Sequence, residues 1–539
     1  MPRTGHDVII VGAGSAGATL ASRLSEDAGR SVLVLEHGPD YRSADTPAVV
    51  ASIDPMEHAP DYPPPPDSSL SAYFHPHLAT RRTAAQEPTF LMRGRGTGGS
   101  SAVNGLFAIR PTVEDLDGWS AAGARGWSFD EVLPLLRRLE TDLDFGDAGY
   151  HGSSGPIPVT RPAGKDFLDV DEAFRQAALD VGHPWAPDHN APLTHGLSPY
   201  AFNGRNGRRV STNDAYLEPA RERANLTVLG DVCVDRVLFD RGSAAGVRAI
   251  GVSALRGGEV VEYLADQVVL CSGAVHSPAI LLRSGIGPAA DLRQLGIEVR
   301  SDLPVGLGLQ DHPLISLELG LRDGAQKQEP GSRHGRYCIR LGLGLTSEPA
   351  DGMICLLSHA GAPNACEIYG WLNRTLSTGR LTLASADPGR DPVIDSNLLS
   401  DPADLSRMLM LVRHLAEMAD RPVLRDLAVS AQLAAAPGQD GGLPVAGRNL
   451  PADAELAAFV LANAYDAAHI CGTCKMGAAN DPGSVVDEQG RVLGALNLRV
   501  ADASIFPWVP SANTHISSVL VGEKIADEIR TGSADPAGG

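Results

Sequence analysis

Basic side chains are scarce in this chain: 45 Lys and Arg stand against 65 Asp and Glu, leaving a formal charge of −20. A surface so poor in cations argues against nucleic acid or an anionic membrane as partner, because phosphate recognition needs positive charge. Long apolar runs are missing too. None reaches the roughly 18 residues that a membrane span requires, so no membrane span is expected. The opening stretch MPRTGHDVIIVGAG runs directly into a strand and lacks the apolar segment and cleavage site of a signal peptide. Cysteine is sparse: seven residues, an odd count scattered along the chain, suit a reducing compartment better than a disulfide framework. These absences point to a cytoplasmic protein. No internal repeat is found.

What is present is an ordinary globular composition, 43% hydrophobic and 20% charged over 539 residues. A chain of that length exceeds one simple core, so two or more domains are expected. The 59 glycines and 39 prolines imply many tight turns and long loops.

The first thirty-eight residues divide cleanly. Asp7 to Val11 reads as a buried strand, Gly12, Gly14 and Gly17 form GxGxxG at the turn into a helix, and Ser31 to Leu35 is a second strand ending at Glu36. Gly12 makes the tight turn, Gly14 lets a pyrophosphate approach the backbone, and Gly17 lets helix and strand pack closely. The helix N-terminus, at Ser15 and Ala16, offers unpaired N–H groups and a positive dipole end. Glu36 can accept hydrogen bonds from both hydroxyls of an adenosine ribose and repels a 2′-phosphate, which disfavours NADP. The strands, the helix and the acid at this spacing make the glycine pattern a dinucleotide-binding signal. Its place at the N-terminus fits FAD better than NAD.

Three more stretches stand out. GRGTGGSSAVNG (Gly94 to Gly105) is a second glycine-rich loop, whose small residues let backbone lie against a flat ring or a phosphate. LCSGAVHSPAILLRSGIGP (Leu270 to Pro288) reads as a strand, a turn at Gly273, and a helix stopping at Ser284–Gly285. LRVADASIFPWVPSANTHISSVLVGEKIAD (Leu498 to Asp527) reads as a strand ending at Asp502, a loop and a helix. Asp502 suits a place beside the dinucleotide; alone, it is equally a helix cap.

Together these stretches resemble the glucose–methanol–choline oxidoreductases, a family of FAD-dependent alcohol oxidases and dehydrogenases. The resemblance covers almost the whole chain. Gly94 to Asn104 and Gly273 to Gly287 look like the family's two signatures, and PVGLGLQDHP (Pro304 to Pro313) like its run before the substrate domain. Thr97 and Gly308 depart from the usual residues without removing a chemical group. The match looks closest to bacterial oxidases of aryl and furanic alcohols. The resemblance implies a flavin against Gly98, Gly99 and Asn104, its adenosine on Gly12, Gly14, Gly17 and Glu36 with the adenine edge near Val234, and Asp502 near the pyrophosphate and ribityl chain. Gly94, Gly273, Ala503, Asn513 and Thr514 complete the implied cofactor contacts. Some members attach FAD through a histidine just before the signature Asn. Here that position is Val103, so non-covalent FAD is expected.

The stretch DAAHICGTCKMG (Asp466 to Gly477) holds His469, Cys471 and Cys474, all possible metal ligands. Zinc sites commonly pair two ligand clusters and only one is present, so no metal is expected. The CxxC spacing lacks the helix N-terminus that activates a redox pair. By the resemblance, His469 is the family histidine that faces the flavin. Alcohol oxidation removes a hydride from carbon and a proton from oxygen, and the proton needs a base such as histidine. A second polar group orients the hydroxyl, and SANTHIS offers Asn513 and His515. In an extended segment both would point to one side. Counting back from the GEKIAD helix places Asn513 at the family's catalytic position, so the pair His469–Asn513 is preferred to His469–His515. Ala468, where relatives often carry an aromatic, should widen the pocket for a bulkier alcohol. Tyr369, Trp371 and Tyr465 are candidate pocket walls.

The expected architecture is α/β. A Rossmann-like FAD-binding domain takes residues 1–160, 205–310 and 455–531, and a substrate domain of antiparallel sheet with helices takes 161–204 and 311–454. YGWLNRTLSTGRLTLAS reads as two strands around a Ser-Thr-Gly turn. Residues 54–69 read as an extended proline-rich stretch, 322–336 as a lid or mobile loop, and 532–539 as a disordered tail. The expected activity is oxidation of a primary, aromatic or heteroaromatic alcohol to the aldehyde, with oxygen or another electron acceptor. The alternatives are a dehydrogenase serving a quinone or protein, and a hydroxynitrile lyase on the same scaffold.

Overall fold

The computed structural model describes residues 5–53, 71–240, 247–323, 335–347, 349–358, 364–436, 441–445 and 450–532. The proline-rich stretch 54–69, most of 322–336 and nearly all of the tail lie outside them.

The unbroken Val and Ile run of His6–Val11 (β1) fits a strand covered on both faces, as parallel layers require. Its neighbours are Val32–Leu35 (β2) on one side and Glu259–Leu270 (β4) on the other, both parallel to it. Leu226–Leu229 (β3) extends the layer beyond β2 and Leu498–Val500 pairs with β4, again parallel. β4 is long enough to serve two pairings. Its second half lies beside β1, while its first half pairs antiparallel with Val247–Arg256, which in turn pairs with Val232–Asp240. β1 and β2 each begin one residue away from the sequence expectation, at His6 and Val32. Ser31 instead donates its N–H and hydroxyl to the Asp7 carboxylate.

Helix α1 (Ser15–Leu24) leaves β1 through Gly12, which has φ of +100° and where a Cβ would stand 2.6 Å from the Cys271 carbonyl. At Gly17 a Cβ would come within 2.0 Å of the Gly12 carbonyl, so the helix lies against the strand only because no side chain intervenes. Helix α2 (Gly273–Arg283) leaves β4 and stops at Ser284, with Gly285 left-handed behind it. Helix α3 (Thr514–Arg530) returns late in the chain to pack on α1, where Gly522 meets Ala16 and Thr19.

A second sheet is antiparallel throughout. Its centre is Pro313–Leu321 (β5), Gly352–Leu357 (β6) and Ala365–Leu372 (β7), with β7 between the other two. Alternation decides its two faces. Ile315, Leu317, Leu319, Ile354, Leu356 and Ile368 enter a core with Leu411 and Leu415 of the helix Pro402–Ala419. The opposite face carries Leu314, Ser316, Glu318, Cys355, Leu357, Glu367, Tyr369 and Trp371, and it looks into a cavity shared with the first sheet.

One expectation fails here. The two strands read in YGWLNRTLSTGRLTLAS exist, but they do not pair around the Ser-Thr-Gly turn. β7 belongs to the second sheet, whereas Gly379–Thr382 joins a separate sheet with Leu307–Leu309 and Val393–Asp395. Local turn chemistry favoured a hairpin; the non-local pairings of each strand outweigh it.

Candidate active site

One cavity of about 1200 Å³ runs from the carboxyl ends of β1 and β2 to the inner face of the second sheet. Gly12, Gly14, Ser15, Ala16, Glu36, Gly94, Gly99, Asn104, Val234, Gly273, Asp502, Ala503, Asn513 and Thr514 all line it. Gly17 and Gly98 do not. Gly17 performs the packing role just described. Gly98 sits one layer behind the wall, left-handed, donating its N–H to the Ala13 carbonyl at 2.9 Å. It shapes the loop that brings Gly99 to Gly14.

The two glycine-rich loops meet at Gly14 and Gly99, where a Cβ on Gly99 would come within 2.8 Å of Gly14 Cα. Glu36 ties them together. Its carboxylate accepts from Ala13 N at 2.8 Å, Gly38 N at 2.9 Å and Gly96 N at 3.0 Å. This knot was not read from the sequence, where Glu36 had only a ribose to hold. Asp502 is likewise engaged on both counts. It caps the turn Ala503–Ile505 through Ser504 N, and it also accepts from Gly273 N and Ser277 Oγ at the edge of the cavity. Asn104 Oδ1 takes a hydrogen bond from the Arg209 guanidinium at 2.8 Å.

The cavity fits FAD. The first turn of α1 has no side-chain cap, so its N–H groups are open to an anion. The Gly14–Gly99 contact leaves a floor that any side chain would fill. Val103 lines the wall and offers no nucleophile.

At the far end His469 and Asn513 come together, with Asn513 Nδ2 3.3 Å from His469 Nε2. Asn513 Oδ1 accepts from the Tyr200 hydroxyl at 3.2 Å. On the other side of the ring, His469 Nδ1 lies 2.9 Å from His312 Nδ1, and His312 Nε2 lies 3.0 Å from the Pro510 carbonyl. This chain fixes the tautomers. A carbonyl only accepts, so His312 Nε2 carries its hydrogen and its Nδ1 is bare. His469 must then donate from Nδ1, which leaves Nε2 as a lone pair beside Asn513. Burial pushes His312 down to about 4 and, reinforced by His312 and Arg93, holds His469 well below the ordinary imidazole range. Both rings are neutral at pH 7.

The backbone around the ring is clamped. Asp311 accepts His469 N with both oxygens, at 2.9 and 3.0 Å, and Arg93 donates to the Ala468 carbonyl at 3.0 Å. Burial and the neighbouring Asp466 push the Asp311 carboxyl up to about 7. Ala468 itself is left-handed, with φ of +60°. His312 and Asp311 were missed as site residues, although they stand adjacent in the QDHP run.

His515 does not share this place. Asn513 is the residue before α3 and His515 is inside its first turn, so the segment is not extended and the two side chains diverge. His515 Nδ1 meets Ser15 Oγ at 3.1 Å instead, at the head of α1.

Cys471 and Cys474 are free and fully buried, and burial pushes both thiols up, away from the thiolate that redox or metal chemistry needs. Among the described residues the cluster with metal-like spacing is Glu140, Asp142 and His151. Arg110 and Arg161 pair with its carboxylates, making it an ion-pair network. No described helix is long and apolar enough to cross a membrane.

Two family models described as GMC oxidoreductase match residues 6–314 and 375–522. The chain is 39% identical to a 5-(hydroxymethyl)furfural oxidase of Methylovorus sp. (strain MP688), covering 98% of this chain and all of the other. It is 34% identical to a mitochondrial choline dehydrogenase of Homo sapiens, over 98% of this chain and 90% of the relative. Among solved structures, a pyridoxine 4-oxidase from Mesorbium loti superposes with a TM-score of 0.84 at 29% identity, covering 98% and 99% of the two chains.

Proposed function

The chain belongs to the GMC oxidoreductase family of FAD-dependent enzymes, and from that premise we propose that it oxidises a primary aromatic or heteroaromatic alcohol to its aldehyde. FAD, when bound, supplies the acceptor for the hydride. The observation that carries the reading is the His469–Asn513 pair. An alcohol hydroxyl is at once donor and acceptor, and this pair offers one of each. The hydroxyl enters in place of the long 3.3 Å contact. It donates to bare His469 Nε2 and accepts from Asn513 Nδ2, whose amide is oriented by Tyr200. His469 then takes the proton as the carbinol hydrogen leaves. His312 keeps Nδ1 protonated, so the receiving nitrogen is always the one facing the alcohol.

The cofactor contacts follow the same division of labour. Glu36 and Val234 would hold the adenosine, the N–H groups at Ser15 and Ala16 the pyrophosphate, and Gly99 and Asn104 the isoalloxazine end. FAD is held without a covalent bond, since Val103 has no nucleophile. Residues 1–160, 205–310 and 455–531 form the cofactor domain; 161–204 and 311–454 form the substrate domain. Similarity to the hydroxymethylfurfural oxidase and the small side chain of Ala468 in the cavity wall support a hydroxymethylarene as substrate.

Anaerobic mixing of the holoenzyme with hydroxymethylarenes tests the reading. Bleaching of the flavin supports oxidation, and an oxidised flavin with every alcohol favours the lyase alternative. Later addition of oxygen or a dye separates oxidase from dehydrogenase. Alanine at Asn513 is expected to slow this reduction on the order of 10²-fold, and alanine at His515 to leave it within a few-fold. Loss of reduction confined to the His515 variant would reverse the assignment.

The pH dependence has a definite sign. A base must be unprotonated, and burial depresses the His469 value below 6.5. Flavin reduction should therefore hold constant from alkaline pH down past 6.5 and fall only as the pH drops through the depressed value. A fall beginning above 6.5 would mean that the base is solvated or is another group.

A further inference from the structure

The cavity does not end at the reacting pair. Leu314, Ser316 and Glu318 of β5 stand opposite Trp371, Tyr369 and Glu367 of β7, and all six face the cavity. Tyr465 pairs with Leu314 at the end that adjoins His312. From Leu314 to Glu318 is four residues, about 13 Å along a strand. Aromatic side chains thus occupy the near end of this wall and two carboxylates the far end.

The polar atoms of two of these rings are tied elsewhere, which leaves their apolar parts to the cavity. Trp371 Nε1 donates to Asn373 Oδ1 and the Tyr465 hydroxyl to the Ala435 carbonyl. Among the described residues the carboxylates are fixed by neutral donors. Ser316 Oγ donates to Glu367 Oε2 at 2.8 Å and Tyr369 bonds the same group, while Gln432 Nε2 donates to Glu318 Oε2 at 2.9 Å. Among the described residues neither of these half-buried acids has an ion-pair partner, although the chain pairs most of its fully buried acids with arginine. A cation on a ligand reaching these acids would form the ion pair that the described residues do not supply. Aromatic residues along the approach are compatible with the same charge.

We propose that Glu367, aided by Glu318, selects alcohols that carry a cationic nitrogen at the end opposite the carbinol, such as a hydroxymethylarene with a protonated-amine side arm. The proposal rests on the alcohol-oxidising reading of the site and names its substrate class. A short amino alcohol, with charge and hydroxyl only two carbons apart, does not span from His469 to Glu367 and gains nothing from the acid.

The test uses three hydroxymethylarenes that differ only at the end of an alkyl arm: primary amine, methyl and carboxylate. Their dissociation constants for the holoenzyme are measured by calorimetry, and their flavin-reduction constants by anaerobic mixing. The amine should bind at least tenfold more tightly than the methyl compound and the carboxylate more weakly still. Glu367→Gln should raise the amine constant about tenfold while moving the methyl constant less than twofold, and Glu318→Gln should have the smaller effect. Equal binding of amine and methyl compounds to the unaltered protein overturns the proposal, as does an amine preference that survives both substitutions. Calorimetry keeps the two readings apart. Amine preference without flavin bleaching would refute oxidation alone, and bleaching without amine preference would refute the selector alone.

Discussion

Replacing His469 by alanine is expected to slow reduction of the bound flavin by about 10²- to 10⁴-fold, the usual contribution of a positioned general base. The size follows from how completely the ring is prepared. Its backbone is held by Asp311, its Nδ1 by His312, and its Nε2 is left bare beside Asn513. Among the described residues no other bare nitrogen stands beside Asn513, since His312 lies on the Nδ1 side of the ring, away from Asn513, and His515 meets Ser15. FAD content should be unchanged, because the ring donates to no residue of the nucleotide half. Rapid anaerobic mixing checks the rate, and flavin absorbance per protein checks the content. A variant that still reduced its flavin within a few-fold of the unaltered rate would remove His469 from the chemistry.

Glu36→Ala should have the second large effect, and on the protein before the cofactor arrives. The substitution strands the N–H groups of Ala13, Gly38 and Gly96, which the carboxylate now satisfies. Each buried unsatisfied donor costs about 1–3 kcal/mol, so even the lower figure sums to about 3 kcal/mol. That equals roughly 100-fold in affinity if it falls on cofactor binding. The apoprotein should melt at lower temperature and the purified variant should retain little FAD. If Glu36 served only a ribose, the apoprotein would melt unchanged. Thermal unfolding of both apoproteins distinguishes the cases.

The parts of this site that the sequence disclosed are those written locally. β1, the Gly12 turn, α1 and β2 fall within one short run, and each residue acts through its own backbone or its nearest neighbours. His469 was legible for the same reason, from a short run around one histidine. Asn513 and His515 were not separable by spacing, because their relative direction depends on whether the helix has begun, and α3 begins between them at Thr514. The acids Glu318 and Glu367 were invisible. They lie 49 positions apart and meet only through strand register. The failed hairpin after β7 has the same origin, since a turn motif cannot reveal that its two strands have better partners in different sheets. His312 shows the middle case. Its motif was noticed, but its bond to His469 joins residues 157 positions apart.

The most direct test of the base assignment is the rate of anaerobic flavin reduction by one hydroxymethylarene, followed from about pH 5 to about pH 9 in the unaltered enzyme and in His469→Ala. The expected result is a rate that stays level down past the ordinary imidazole value and then falls with acid, beside a slow and nearly flat profile in the variant. A flavin that stays oxidised in the unaltered enzyme, or two profiles of the same height and shape, would contradict it.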